Sequence, residues 1–304
     1  MAARDALPVL TAGTPVLART DRRIHVGSDP RTALVIDVPP AVTIATVVAV
    51  LQRLRTPQRF LHLRRAVRSS GLTVTGFWAI VDQLVSAGKA VPPSAVRQLP
   101  LRVGVVGHGE LAGLLLTELP HDGYAAVPYD PAILFRSGEK RPNLVVIADQ
   151  PVPDPTLWEP LVAGAVPHLS TYLNDDVGVV GPLVLPGLSS CLRCVDLYRA
   201  DLDEHWPMLA ATLHGVAGAA APATGRATAA IAAAQIAEIA VRLRNRTADP
   251  PSITGRILEF RSSPSTVTSL PAPVHPRCDC QLNDSVRHGS RTSTILDHAA
   301  KGLN

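Results

Sequence analysis

The sequence predicts an α/β chain built of two modules, and three observations predict it. From Leu101 onward, apolar runs of the kind that fill buried strands alternate with helical patterns, as in a sheet covered by helices. The first ninety residues follow a different order, three short strands and then three helices. Charge divides at the same place: residues 1–98 hold thirteen Lys/Arg against five Asp/Glu, which leaves the rest of a +4 chain net acidic. At 304 residues two domains are the natural expectation, and 46% hydrophobic residues suffice for two cores.

In the first module the apolar runs are Thr14–Leu17, Ile24–Val26 and Ala33–Val38. Asp21-Arg22-Arg23 and Gly27-Ser28-Asp29-Pro30 supply turn chemistry between them. Helical patterns cover Val42–Leu54, after Pro39-Pro40, then Arg59–Arg68 and Val74–Ala87, with Gly88 as a stop signal. This order reads as a small winged-helix-like α+β domain over residues 1–90. A linker is expected at 91–100, where Val91-Pro92-Pro93-Ser94 stands.

The second module is expected over 101–284. Strands are read at Leu101–Val106, Leu144–Ala148, Val166–Leu173 and Val177–Leu185. Helices are read at Leu111–Leu119, Pro155–Ala163 and the alanine-rich stretch Thr224–Leu243. This alternation implies a parallel sheet. Gly255–Arg261 and Thr266–Leu270 read as a terminal hairpin, and the polar residues 285–304 as a disordered tail.

Several function classes lose support. No apolar stretch reaches membrane-spanning length, and Met1–Pro15 lacks the cationic start and apolar run of a secretory signal, so the expected compartment is the cytoplasm. There is no Ser-His-Asp signature, no Walker lysine motif and no H-E-x-x-H. His205-Trp206-Pro207 reads as a helix end followed by a packing Trp. The basic first module suits an acidic partner or is simply a solvated basic face. Arg53, Arg55, Arg59, Arg64, Arg65 and Arg68 raise the thought of nucleic acid, but base-reading side chains are sparse around them.

The four cysteines, Cys191, Cys194, Cys278 and Cys280, form a C-x-x-C pair and a distant C-x-C pair. Two tight pairs of thiolates can complete one tetrahedron, and four soft sulfurs with no open position suit a structural zinc ion. A cytoplasmic chain disfavours disulfides. With all four thiolates on zinc, no cysteine remains as a nucleophile.

Gly107, Gly109 and Gly113 stand in the run Gly107-His108-Gly109-Glu110-Leu111-Ala112-Gly113, after a buried strand and at the start of a helix. Backbone amides there can cradle the phosphates of a nucleotide, or the glycines can simply make a tight strand–turn–helix junction. Glu110 would repel a phosphate. Asp130 lies where an acidic residue could hold a ribose, and Asp149 ends the Leu144–Ala148 strand, where ligand contacts sit in such sheets. Both also suit ordinary loop or cap roles.

Residues 99–283 resemble the ThiF/MoeB-like superfamily, relatives of ubiquitin-activating enzymes. The features that carry the resemblance are the turn Gly107–Gly113, Ala148-Asp149-Gln150, Val166-Pro167-His168-Leu169, Gly181-Pro182 through Pro186-Gly187, and the cysteine pairs Cys191/Cys194 and Cys278/Cys280. It implies a Rossmann-like domain whose C-terminal hairpin is pinned by structural zinc. With the first module included, the chain resembles the ThiF-like, leader-peptide-binding partner proteins of azole-forming cyclodehydratases. The resemblance implies capture of a precursor leader as an added β-strand, a YcaO-type partner enzyme and a homodimer. Active adenylating members carry an Arg-Gln and a catalytic lysine in a long segment between their second and third sheet strands. Here about a dozen residues separate Asp130 from Asn143, with no recognisable equivalent, and Gln150 follows Asp149 where Asn is usual. The resemblance therefore implies a degenerate ATP site and no catalytic residue. The other reading is an ATP-dependent adenylyltransferase that activates a C-terminal carboxylate.

Overall fold

The computed structural model describes residues 5–91, 101–136, 138, 140–245 and 249–280. The chain divides into two compact units, residues 1–98 and 99–304. The linker expected at 91–100, Val91 apart, and the tail expected at 285–304 lie outside the described residues.

The first unit contains β1 (Val9–Leu10), β2 (Val16–Ala18), β3 (Arg23–Val26), β4 (Leu34–Asp37), α1 (Ile44–Gln52), α2 (Phe60–Ser69), α3 (Val74–Ser86) and β5 (Ala90–Val91). Strands β2, β3 and β4 form an antiparallel sheet in that order. Side chains alternate across it as the pleat requires: Val16, Ile24, Val26 and Ile36 are buried. Leu17, His25 and Val35 are cross-strand neighbours on the opposite face, where Leu17 and Val35 are exposed. Helix α3 buries Phe77, Ile80, Val81 and Leu84, the i, i+3, i+4, i+7 stripe of an amphipathic helix. Thr73 caps it by accepting the Gly76 amide at 3.0 Å. The pair β1–β5 escapes sequence reading because each strand has only two residues. It joins the ends of the unit, Val9 beside Val91 and Leu10 beside Ala90.

The second unit contains β6 (Arg102–Val106), α4 (Glu110–Glu118), β7 (Ala125–Pro128), β8 (Leu144–Ala148), α5 (Pro155–Ala163), β9 (His168–Asn174) and β10 (Val177–Val184). After these come α6 (Leu192–Leu202), α7 (Trp206–Leu213), α8 (Pro222–Asn245), β11 (Arg256–Ser262) and β12 (Ser265–Pro271). One seven-stranded sheet runs in the order β12-β11-β10-β9-β8-β6-β7. The expectation of a parallel sheet needs correction. Strands β7, β6, β8 and β9 are parallel, but β10, β11 and β12 join antiparallel, so the sheet is mixed. The reason is local. Asp175 and Asp176, with φ of 49° and 62°, make a two-residue turn between β9 and β10, too short for a parallel crossover.

Strand β8 is buried on both faces, which explains its unbroken apolar sequence. Leu144, Val146 and Ala148 pack with Leu111 and Leu115 of α4 and Ile236 and Ile239 of α8. Val145 and Ile147 face the other way, toward Leu161 of α5 and Leu192 of α6. Helix α8 lies close on β10 because Gly178 has no Cβ to strike Thr228.

Candidate functional site

The four cysteines come together. Cys191 is the residue before α6, Cys194 lies in its first turn, and Cys278 and Cys280 arrive on the segment after β12. Sulfur–sulfur separations are 3.7 Å for Cys191–Cys194, 3.6 Å for Cys191–Cys278 and 3.5 Å for Cys194–Cys280, and all four lie within 4.8 Å of one another. A tetrahedron with metal–sulfur bonds of about 2.3 Å has edges of about 3.8 Å, so the cluster fits a divalent ion such as zinc. The thiols are free, with no disulfide between them. Burial pushes the Cys191 and Cys280 thiols up, and neighbouring sulfurs add to the rise. Burial also opposes ionisation of Cys194, but hydrogen bonds from the backbone of His275 and Cys191 bring that thiol down overall. A bound dication would reverse the cost of gathering four thiolates, since thiols that ligate a metal lose their protons.

Local structure holds the two cysteine segments in place. Ser190 donates to the Ala272 carbonyl at 2.6 Å, and Cys278 N–H donates to the His275 carbonyl at 2.9 Å. His275 is buried, stacks edge-on against Tyr198 of α6 with ring centroids 4.5 Å apart, and meets the Asp201 carboxylate at 2.8 Å. Arg277 also pairs with Asp201. These contacts tie the C-x-C segment along α6.

The glycine turn lies between β6 and α4, and its anion position is filled by the chain itself. The Asp149 carboxylate accepts the Gly109 amide at 2.8 Å and the Leu111 amide at 2.9 Å. A Cβ at Gly107 would come 2.7 Å from that carboxylate, and one at Gly109 would come 2.6 Å from it. Gly107 also needs its φ of +139°. The two glycines therefore make room for Asp149, as a tight strand–turn–helix junction. Gly113 sits one turn further along α4, where a Cβ would meet nothing. Glu110, at the helix start, reaches toward Gly225 of α8. Asp130 is not brought to this cluster by any hydrogen bond; its carboxylate accepts the Ala132 amide at 2.9 Å and caps a 3-10 turn.

One constellation escaped sequence reading. Arg199 of α6 donates to the Pro151 carbonyl at 3.0 Å and to the Tyr172 hydroxyl at 2.9 Å, pairs with Asp196 at 3.3 Å, and lies 4.9 Å from the Trp206 ring centroid. Burial raises both Tyr172 and Asp196, and Arg199 opposes it in each case. The i, i+3 spacing of Asp196 and Arg199 was the only signal. Trp206 does pack, but His205-Trp206-Pro207 opens α7 rather than closing a helix. Pro207 lies in the first turn, where proline costs no helical hydrogen bond.

No family model matches the sequence, and no curated protein matches it. Solved structures match in fold. A heterocyclase in complex with substrate and cofactor superposes with a TM-score of 0.63 at 16% identity, covering 88% of this chain and 38% of its own. The heterocyclase TruD gives 0.62 at 15% identity, covering 98% of this chain and 50% of its own. MccB of E. coli, solved with ATP, gives 0.56 at 13% identity over 90% and 99% of the two chains. The chain thus spans half or less of each heterocyclase and nearly all of MccB. Fold and site define a mixed α/β protein of heterocyclase-like architecture with a four-thiol cluster shaped for a metal.

Proposed function

We propose that this chain is a non-catalytic, zinc-containing ThiF-like partner protein that captures a precursor peptide for a separate peptide-modifying enzyme. In this reading residues 1–90 are a winged-helix-like recognition domain, and the Rossmann-like second unit is a scaffold. Cys191, Cys194, Cys278 and Cys280 hold a structural zinc ion that pins the chain after β12 to α6. The enzyme served is a YcaO-type cyclodehydratase, and the protein works in the cytoplasm as a homodimer.

The observation that carries the reading is the free edge of β4. Strand β4 pairs with β3 on one side and with no described residue on the other. At the opposite edge of the sheet, Gln52 of α1 donates its amide to the Val16 carbonyl at 3.1 Å. An added strand along β4 would satisfy the unpaired backbone groups of Leu34–Asp37 and pack side chains beside exposed Val35. The neighbouring heterocyclase was solved with substrate and cofactor, and MccB with MccA, so this fold binds partner molecules in both neighbours.

Asp149 supports the absence of catalysis. Its carboxylate covers the amides that would meet a phosphate, and like charge would repel one. MccB with ATP keeps the adenylyltransferase as the second reading, in which Gly107, Gly109, Gly113, Asp130 and Asp149 would form the nucleotide site. Calorimetric titration with ATP and magnesium separates the two. The proposal expects no low-micromolar binding; such binding, lost in Asp149→Ala, favours the adenylyltransferase.

A further inference from the structure

We propose that α2 is a docking surface for an acidic segment of a partner polypeptide, with carboxylates on Arg64, Arg65 and Arg68 and an apolar side chain on Leu61. This inference rests on the reading of the first unit as a recognition unit, and it names a second face and a partner chemistry for it. Helix α2 packs against α1 and α3. Its buried residues are Leu63 and Val67. Leu61, Arg64, Arg65 and Arg68 are exposed and stand at i, i+3, i+4 and i+7, so they form one stripe on the outer face. Leu61 is 63% exposed at one end of that stripe. No acidic residue lies on α2.

Among the described arginines of the unit, Arg22 donates to the Pro40 carbonyl at 2.9 Å, and the others fall into two groups. Arg19, Arg23, Arg31 and Arg59 each pair with an aspartate of the same unit. Arg64, Arg65 and Arg68 form no ion pair with any described residue, nor do exposed Arg53 and Arg55 on the 3-10 turn that follows α1. With thirteen basic residues against five acidic ones over residues 1–98, the unit cannot neutralise this stripe from within. Carboxylates from outside match it, because a guanidinium fork takes a carboxylate through two parallel hydrogen bonds. The chemistry favours a polypeptide over nucleic acid. A phosphate backbone gains nothing from Leu61, the stripe holds no amide side chain to read a base, and the neighbouring α3 carries Asp82 and no basic residue.

Anisotropy measurements on the full chain test this, with a fluorescein-labelled Gly/Ser peptide carrying four Glu and one Leu as the probe. The proposal expects binding that tightens as salt is lowered and weakens at least tenfold in Arg64→Glu/Arg65→Glu/Arg68→Glu. Replacing the four Glu by Gln should abolish binding, and Leu61→Ser should weaken it about threefold. Should the triple variant fail to fold by circular dichroism, the single variants Arg64→Gln and Arg68→Gln carry the test, each weakening the complex. Val35→Glu, on the sheet, should leave this probe's affinity unchanged while impairing peptide capture at β4, so the two proposals can fail separately. Absence of binding at low salt overturns the inference, as does affinity indifferent to the arginine changes. A DNA duplex bound more tightly than the peptide, and lost through the same changes, overturns it in favour of nucleic acid.

Discussion

Asp149 concentrates the physics of the glycine turn in one side chain. Its backbone stands at φ +74°, where a non-glycine residue is strained by about 1–3 kcal/mol. Two amide-to-carboxylate bonds at the start of α4 offset that strain, since bonds to a charged group contribute about 1.5–3 kcal/mol each. Asp149→Ala should therefore lower stability by about 2–3 kcal/mol in urea unfolding, because it orphans the Gly109 and Leu111 amides and keeps the positive φ. Asp149→Asn should cost less, about 1 kcal/mol, since an amide oxygen still accepts and Asn tolerates this conformation. The turn was legible in the sequence as glycines between strand and helix. What fills it was not, because Asp149 lies forty residues away in the chain.

A second residue sets a pH dependence. His168 is fully buried, its Nδ1 bonded to the Val166 carbonyl at 3.0 Å, with apolar Val145 and Val184 as strand neighbours. Burial drives its pKa from 6.5 down to about 4, against the pull of that hydrogen bond. The unfolded chain takes up the proton near 6.5 and the folded chain only near 4, so stability falls as pH drops through that window, by up to about 3 kcal/mol. His168→Phe should flatten the dependence of the unfolding midpoint between pH 6.5 and 4. An unchanged slope would show that other groups carry it.

At the scale of elements, the four-thiol centre joins α6 to the chain after β12. Protein purified without added metal should carry about one zinc per chain by elemental analysis. Cys191→Ser and Cys280→Ser should each release it and lower the melting temperature by roughly 10 °C, because metal binding and folding of these segments are one process. Full retention of both metal and stability in either variant would contradict the four-ligand centre. Elements with a strong period were legible: α3 from its apolar stripe, β8 from its unbroken apolar run, and α8 from alanines that leave only Ile236, Ile239 and Leu243 as large buried anchors. Strand β7 was not, since Ala125, Ala126 and Val127 are half-buried, Pro128 is exposed, and the four follow no alternation. Helix α7 was hidden by Pro207, which reads as a stop unless its place in the first turn is known.

At the scale of the whole molecule, the chain joins a basic unit, in which no described residue pairs with the outer edge of β4, to a larger unit whose glycine turn is closed by its own carboxylate. The uneven charge and the change of strand–helix order made the two units legible in the sequence. The mixed sheet was not, because its direction is decided by the two-residue turn at Asp175-Asp176 rather than by any strand's own composition. Capture of a peptide on β4 by the first unit is what we propose for the chain as a whole. Hydrogen–deuterium exchange of the full chain, alone and with a precursor peptide encoded beside its gene, tests this most directly. Slower exchange at the outward-facing amides among Leu34–Asp37 is expected when the peptide is bound, since an added strand takes up the backbone donors of that edge. Saturating binding that leaves the exchange of β4 unchanged would contradict it.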